Sequence, residues 1–495
     1  MATLITNPQN QTQPSTTTTT TNHHASLDHH HVAAITVPFP AQGHLNQLLQ
    51  LSCLVSSYGI PVYYVAPPVF SRQARSRANG LNPLDLPKIH FHDIPTPHVD
   101  SPPPNPDLPY KFPTQLLPAW YASLTLREPF SAFLLDLSKK FKRVVVIHDP
   151  MMAFVVQDVD SVPNAESYIF NCISAASHIS FLWPSLAKPV SVEYPKELPL
   201  FERCMPEEVN RFVSLQTDHL DRRSGDIYNT CRLLEAPYLD ILEHEEISGK
   251  AKKRKSWAVG PMLPAVLSPR AEDEAEERNE CLRWLDRHEP KSVVYVSFGT
   301  TVSLTDEQLG EIAVGLERSG AKFLWVVRDA DTCDVFGGTG RRPSPPEGFE
   351  ERVEGRGMVM RGWAPQPWIL AHGAVGGFVS HCGWNSCVES IVAGVPVAAW
   401  PMHSDQPANT ALLVRVLGMG IVVMEWAGQA GLVRAEAVED AVRRLMGPGE
   451  GERVRRRAEE VGKMVREAAN EGGSSRLEMD SFIAHISRQA EEGEI

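Results

Sequence analysis

The residues best suited to chemistry in this 495-residue chain lie between Trp363 and Gln406, in WAPQPWILAHGAVGGFVSHCGWNSCVESIVAGVPVAAWPMHSDQ. Within HCGWNSCVES, His381 leaves an apolar run, Gly383 allows a tight turn, and Asn385 and Ser386 are residue types that cap helices. A helix beginning there points free N–H groups and the positive end of its dipole at whatever lies in front, which suits a diphosphate. Glu389 falls three residues beyond Ser386 on the same helix face, where it can accept hydrogen bonds from ribose hydroxyls. Trp363 offers a flat face for stacking a base. Asp405 and Gln406 follow the next apolar run and can hydrogen-bond a polyhydroxylated ring. In this order and spacing the parts fit a nucleotide joined to a sugar.

Two residues far upstream suggest a different task. His44, in AQGH, stands at the mouth of a helix, whose N-terminus disfavours imidazolium and should keep the ring neutral as a general base near pH 7. Asp149 follows the apolar run RVVVIH and can bond the other ring nitrogen, fixing the tautomer and stabilising the imidazolium that forms. Two DxD triplets, Asp158–Asp160 and Asp329–Asp331, have the spacing of carboxylates that hold a divalent metal on a nucleotide sugar. The diphosphate already has a helix terminus and His381, so no metal is expected.

The elements that must position these groups read as an α/β chain. VAAITVPFP, AQGH, LNQLLQLSCLVSSYG and IPVYYVAP form a strand, a loop, a helix ending at Gly59 and a second strand, which is a βαβ unit of a parallel sheet. Further strands are expected at 88–92, 143–148, 166–171 and 256–260. A second series starts at residue 292 with SVVYVSFGT and continues through KFLWVVR, GMVMRG, VGGFVS, VPVAAW and GIVVM. The expected organisation is therefore a disordered tail over 1–31, a first doubly wound domain over 32–261, a Pro-rich then acidic linker over 262–280, a second domain over 281–475, and a C-terminal helix and tail over 476–495. The Thr- and His-rich tail is excluded from the fold, and the basic run Lys250–Lys255 reads as a solvated loop. In such sheets ligands bind beyond the carboxyl ends of the strands, where all of the residues singled out above are expected to fall.

Composition excludes several other classes. With 47 Lys and Arg against 60 Asp and Glu, the net charge of −13 argues against a general nucleic-acid or anionic-membrane binder. Eight cysteines without a CxxC pair suggest a reduced, cytoplasmic set rather than a disulfide framework or zinc site. No basic residue precedes Arg72, so secretory and organellar leaders are not expected, and no apolar run reaches the ~18 residues of a membrane span. A nicotinamide-binding reading would need GxGxxG after the first strand, where the chain has PAQGHLNQ.

The segment Trp363–Gln406, 44 residues long, resembles the glycosyltransferase box of plant secondary metabolism, and from about residue 32 the chain resembles plant family 1 UDP-glycosyltransferases. VPFPAQGHLNQLLQLS and AWPMHSDQP are similar in texture to zeatin O-glucosyltransferases. The resemblance implies a GT-B architecture, two Rossmann-like domains facing across a cleft. It implies that Trp363 stacks on uracil while the Ala364 backbone and Gln366 hold the uracil and ribose edge, and that Glu389 binds the ribose. It places His381, Asn385, Ser386 and Thr300 on the diphosphate with the Trp384 backbone, and Asp405 and Gln406 on the sugar. It makes His44 and Asp149 the catalytic dyad. The final glutamine favours UDP-glucose as co-substrate; Cys387, where the family usually has threonine, is not expected to touch it. The expected activity is inverting O-glucosylation of a small-molecule hydroxyl, with zeatin first and a flavonoid or other phenolic as the alternative. A non-catalytic UDP-sugar or hormone-binding protein is the reading from another class, and a monomer is expected.

Overall fold

A computed structural model describes residues 32–78, 80–108, 111–185, 193–199, 205–244, 254–262, 280–337, 341–426 and 431–488. The N-terminal tail, nearly all of the acidic linker and most of the Lys250–Lys255 run lie outside the described residues. Seven strands, β1 (Val32–Val37), β2 (Val62–Ala66), β3 (Ile89–Asp93), β4 (Arg143–His148), β5 (Ala165–Asn171), β6 (Gly225–Tyr228) and β7 (Lys255–Ala258), form one sheet in the order β3-β2-β1-β4-β5-β6-β7. Six more, β8 (Val293–Ser297), β9 (Lys322–Val327), β10 (Gly357–Arg361), β11 (Val375–Ser380), β12 (Val397–Ala399) and β13 (Gly420–Val422), form a second in the order β10-β9-β8-β11-β12-β13. All neighbouring pairs are parallel. Unbroken apolar runs such as VAAITV are buried along their whole length, as strands covered by helices on both faces must be.

Each sheet reverses its strand order once, between β1 and β4 in the first and between β8 and β11 in the second. Loops leaving two strands on opposite sides of such a switch point diverge and leave a crevice at the carboxyl ends. The two crevices face each other. Across the gap the Asn385 amide donates to the Gly43 carbonyl (2.9 Å), and the Trp384 indole donates to the Asn229 carbonyl (2.9 Å). One apolar cluster joins Ala175, Ile179, Leu234 and Tyr238 of the first half to Trp384, Val388, Ala408 and Leu412 of the second.

Three local readings change. The first helix is Gln42–Ser56, so AQGH supplies its first turn and is not a loop ahead of it. Strand β6, GDIY, lacks the continuous apolar run that marks a buried strand, and it went unread; a Cβ on Gly225 would lie 2.7 Å from the Lys255 carbonyl oxygen, so the close approach of β7 requires glycine there. The last helix is Ser474–Ile486 and returns to the first sheet, where Phe482 packs edge-on to Tyr168 and Trp257 and the Tyr58 hydroxyl donates to Asp480 (2.6 Å).

Candidate active site

His44 and Asp149 are 105 positions apart in sequence, but β1 and β4 are adjacent and in register from Val32↔Arg143 to Val37↔His148. Their trailing loops therefore emerge side by side, and His44 Nδ1 lies 2.6 Å from Asp149 Oδ2. Asp149 is fully buried, and its other oxygen accepts from the Met151 N–H (2.8 Å), capping the turn Pro150–Met152. A carboxylate accepts, so the ring donates from Nδ1 and Nε2 is left as the proton acceptor. The His44 side chain is 28% exposed, enough for a substrate hydroxyl to reach it.

The neighbouring carboxylates, and not the helix N-terminus, decide the direction in which this ring shifts. Burial pulls the His44 pKa down, but the charge and hydrogen bond of Asp149, with a further contribution from Asp405, outweigh it and leave it raised above 6.5. Cys172, read only as one of the scattered cysteines, has its sulfur within 4.8 Å of the ligand atoms of both dyad members. Burial and the neighbouring Asp149 charge hold its thiol protonated, well above its ordinary range.

In the second half, His381 follows β11 at the switch point, buried, with Nδ1 lacking a hydrogen-bond partner among the described residues. Burial lowers its pKa to about 4, so it is neutral. A Cβ on Gly299 or Gly383 would come within 2.5 or 2.6 Å of His381 Nε2, and Gly299 also has φ +75°, so glycine is what lets both loops close on this ring. Thr300, next to Gly299, is partly buried, and its carbonyl accepts from the Asp331 N–H (2.7 Å).

The helix after His381 is Trp384–Ala393, and its N-cap is Gly383, with no side-chain cap. Asn385 and Ser386 are thus inside the first turn and do not cap it. Asn385 reaches Gly43 of the other half, while Ser386 Oγ accepts from Gln366 Nε2 (2.9 Å). The same Gln366 nitrogen donates to Glu389 Oε2 (2.7 Å). Burial raises the Glu389 carboxyl to about 7, partly opposed by that bond. Trp384 commits its indole to Asn229, and its backbone N–H donates to the Asp405 carboxylate. The Ala364 carbonyl accepts from the Gln366 N–H (2.9 Å).

Trp363 is partly buried, and the Arg77 guanidinium lies 4.5 Å from its ring centre. Arg77 also forms a two-pronged bond to Asp331 (2.6 and 3.2 Å) and donates to Gln42 Oε1 (3.0 Å), bridging the helix that carries His44 to the platform in the other half. Sequence reasoning missed Arg77 because nothing in SRQARSR separates it from a solvated arginine. Asp331, weighed as half of a metal triplet, is paired with Arg77 and Arg328, and Asp158 of the other triplet with Arg127.

Asp405 is partly buried, and burial pushes its carboxyl up against the opposing bond from Asn409. Gln406 is only 2% exposed, and its Oε1 accepts from the N–H groups of Met402 (2.7 Å) and His403 (3.0 Å). Its Nε2 lies 3.4 Å from His403 Nε2. His403 is buried, with its pKa lowered to about 3 by burial, and bonds Thr301 Oγ1 (3.1 Å) and Ser404 Oγ (2.7 Å).

Comparison with known proteins places this geometry. The chain matches the family model described as glycosyltransferase, N-terminal domain over residues 30–264, and that described as UDP-glucoronosyl and UDP-glucosyl transferase over residues 272–444. It is 48% identical to a zeatin O-glucosyltransferase of Phaseolus lunatus, over 92% of this chain and 97% of that one. It is 45% identical to a zeatin O-xylosyltransferase of Phaseolus vulgaris, over 92% and 98%. Among solved structures it is similar to a transferase from Siraitia grosvenorii in complex with UDP, with a TM-score of 0.71 and 27% identity over 92% of this chain and 100% of that one. It is likewise similar to Phytolacca americana UGT2 complexed with UDP-2fluoro-glucose and pterostilbene, with a TM-score of 0.68, 27% identity and 92% and 99% coverage.

Proposed function

The chain belongs to the family 1 UDP-glycosyltransferases of GT-B architecture, and from that premise we propose that it transfers glucose from UDP-glucose to the side-chain hydroxyl of a cytokinin of the zeatin type. The observation that carries the mechanism is the 2.6 Å bond between His44 and buried Asp149 at the mouth of the cleft. His44 Nε2 takes the proton of the acceptor hydroxyl as the oxygen attacks C1 of the sugar. The C1–O bond to the diphosphate breaks on the opposite face, UDP leaves, and an α-linked donor becomes a β-glucoside. Asp149 holds the tautomer and balances the imidazolium. Trp363 stacks the uracil, Gln366 and the Ala364 backbone hold its edge, and Glu389 accepts from the ribose. The open helix end at Gly383 with Thr300, His381, Asn385 and Ser386 receives the diphosphate, and Asp405 with Gln406 receives the sugar.

Zeatin as acceptor is supported by the names of the two Phaseolus relatives. A xylosyl donor is the second reading, favoured by the 45% identity to the xylosyltransferase. The reading includes a monomer in the cytoplasm; the seven described cysteines are buried and form no disulfide with one another, which suits a reducing compartment. No helix among the described residues is long and apolar enough to cross a membrane.

The test is turnover of trans-zeatin, cis-zeatin and a flavonoid panel with UDP-glucose or UDP-xylose, in the presence of EDTA. Zeatin O-glucoside is the expected main product. Turnover of phenolics with none on zeatin overturns the acceptor, preference for UDP-xylose overturns the donor, and UDP binding without any turnover overturns the enzymatic reading of this chain.

A further inference from the structure

Asn409 lies on the helix Gln406–Ala411, one turn beyond Asp405, and is fully buried where the two halves meet. All of its side-chain hydrogen-bonding capacity is used. Nδ2 donates to Asp405 Oδ2 (2.8 Å) and to the Cys382 carbonyl (2.9 Å). Oδ1 accepts from Ser174 Oγ (2.6 Å) and Ser177 Oγ (2.9 Å) of the first half. Ser177 Oγ also donates to the Asp405 carbonyl (3.2 Å). Asp405 stands at the head of its helix without capping it through its side chain. The Asp405 carboxylate also accepts from the Trp384 backbone N–H, so its orientation is fixed jointly by that group and by Asn409, and Asn409 is in turn set by two hydroxyls of the opposite half and by the loop carrying His381.

We propose that Asn409 is a positioning residue for the donor sugar, which aims Asp405 at the sugar and makes that aim depend on the register of the two halves. The inference rests on the reading above that Asp405 holds the sugar. A primary amide is the group required. A carboxylate cannot donate to Asp405 while accepting from two serines, and an aliphatic side chain takes away the acceptor the two hydroxyls share and the side-chain donor to Asp405. The signal in the sequence is the spacing, since residues four apart share a helix face, but that spacing names Asp405 as the partner and leaves the serines unidentified.

The experiment separates sugar from nucleotide. KM for UDP-glucose, with the acceptor that turns over best, is compared with the dissociation constant of UDP, which carries no sugar. Asn409→Ala and Asn409→Asp are expected to raise KM by about tenfold or more, the effect of losing a charge-assisted hydrogen bond, with UDP affinity within about twofold of the parent. A role limited to holding the fold together would weaken UDP and UDP-glucose alike, and that result, or an unchanged KM, overturns the proposal. Should those variants fail to fold, the Ser174→Ala/Ser177→Ala double variant retains the Asn409–Asp405 bond and is expected to raise KM about threefold; no change there overturns the tie between the halves. Asp405→Asn is the control. If it leaves KM for UDP-glucose unaltered, the reading of Asp405 fails; if it raises KM while the Asn409 variants do not, the positioning role alone fails.

Discussion

The histidines singled out on the two sides of the cleft differ in the direction of their pKa shifts. Beyond the first sheet, His44 is raised above the ordinary imidazole value; beyond the second, His381 and His403 are lowered to about 4 and about 3. All three are desolvated, so burial alone does not separate them. His44 faces the carboxylates of Asp149 and Asp405, whereas His381 has no ionised partner among its resolved influences and His403 feels only His381. The first half thus holds an imidazole that can take up a proton during turnover. The second holds neutral rings suited to lying against a ligand that brings its own charge. At these three positions the direction follows from whether a carboxylate is near the ring; His148, bonded to the Asp149 carbonyl and fully desolvated, is lowered to about 4 in spite of the neighbouring carboxylates.

The sharpest way to break that contrast is His44→Ala. Turnover is expected to fall about 10³-fold, the scale of a lost general base, with UDP affinity unchanged by calorimetry. Near-parent turnover would refute the assignment of the base to the first half. Asp149→Asn is expected to cost about 10²-fold in kcat and to move the pH profile. Neutral imidazole is the active form, so kcat rises with pH through the His44 pKa, with a midpoint above 6.5 in the parent. Removing the carboxylate leaves burial opposed only by the more weakly acting Asp405, and the rising limb shifts to lower pH; a limb that stays in place would mean Asp149 does not set the pKa.

A smaller effect is expected across the cleft. Glu389→Gln should raise KM for UDP-glucose about tenfold and leave saturated turnover within a few-fold, since a carboxylate accepting from ribose is lost while the dyad is untouched. With the Glu389 carboxyl near 7 in the empty site, UDP affinity in the parent should weaken as the pH falls through that value, and this trend should vanish in the variant. The smallest effect concerns the contact between the halves. Arg77→Ala removes a bridge whose side chains are 12% and 6% exposed, but Asp331 keeps Arg328. A loss of about 1 kcal/mol is expected, read as a melting temperature lower by roughly 2–4 °C, and an unchanged melting temperature would show that the bridge does not hold the halves together.

Much of this was legible before any coordinates. All six strands of the second sheet and six of the seven in the first were legible; the central ones stood out as continuous apolar runs, because a strand buried on both faces must be apolar throughout, whereas edge strands such as β3 and β10 are only partly buried. GDIY escaped because it is short and opens on Gly–Asp, a composition tolerated only where β7 packs against it. The segment Trp363–Gln406 was legible as a nucleotide-sugar site because its residues are local, set out along two loop–helix units with fixed spacing. Helix caps were read less well. Asn385 and Ser386 are capping residue types, yet a glycine takes the cap and their side chains turn to Gly43 and Gln366.

The sequence by itself determined the two parallel sheets and set out the 44-residue segment Trp363–Gln406, because those properties depend on periodicity, residue type and short spacing; it offered His44 and Asp149 as a candidate base by residue type and family resemblance. Only the tertiary structure decided the partners. It set Arg77 over Trp363, put Cys172 behind the dyad, tied Asn409 to Ser174 and Ser177, and turned the His44 pKa upward. Each of these depends on the distance between side chains remote in sequence. That distance is set by how strands of one sheet align and how two sheets meet, and Coulomb and hydrogen-bond energies act over ångströms in space, whatever the separation along the chain.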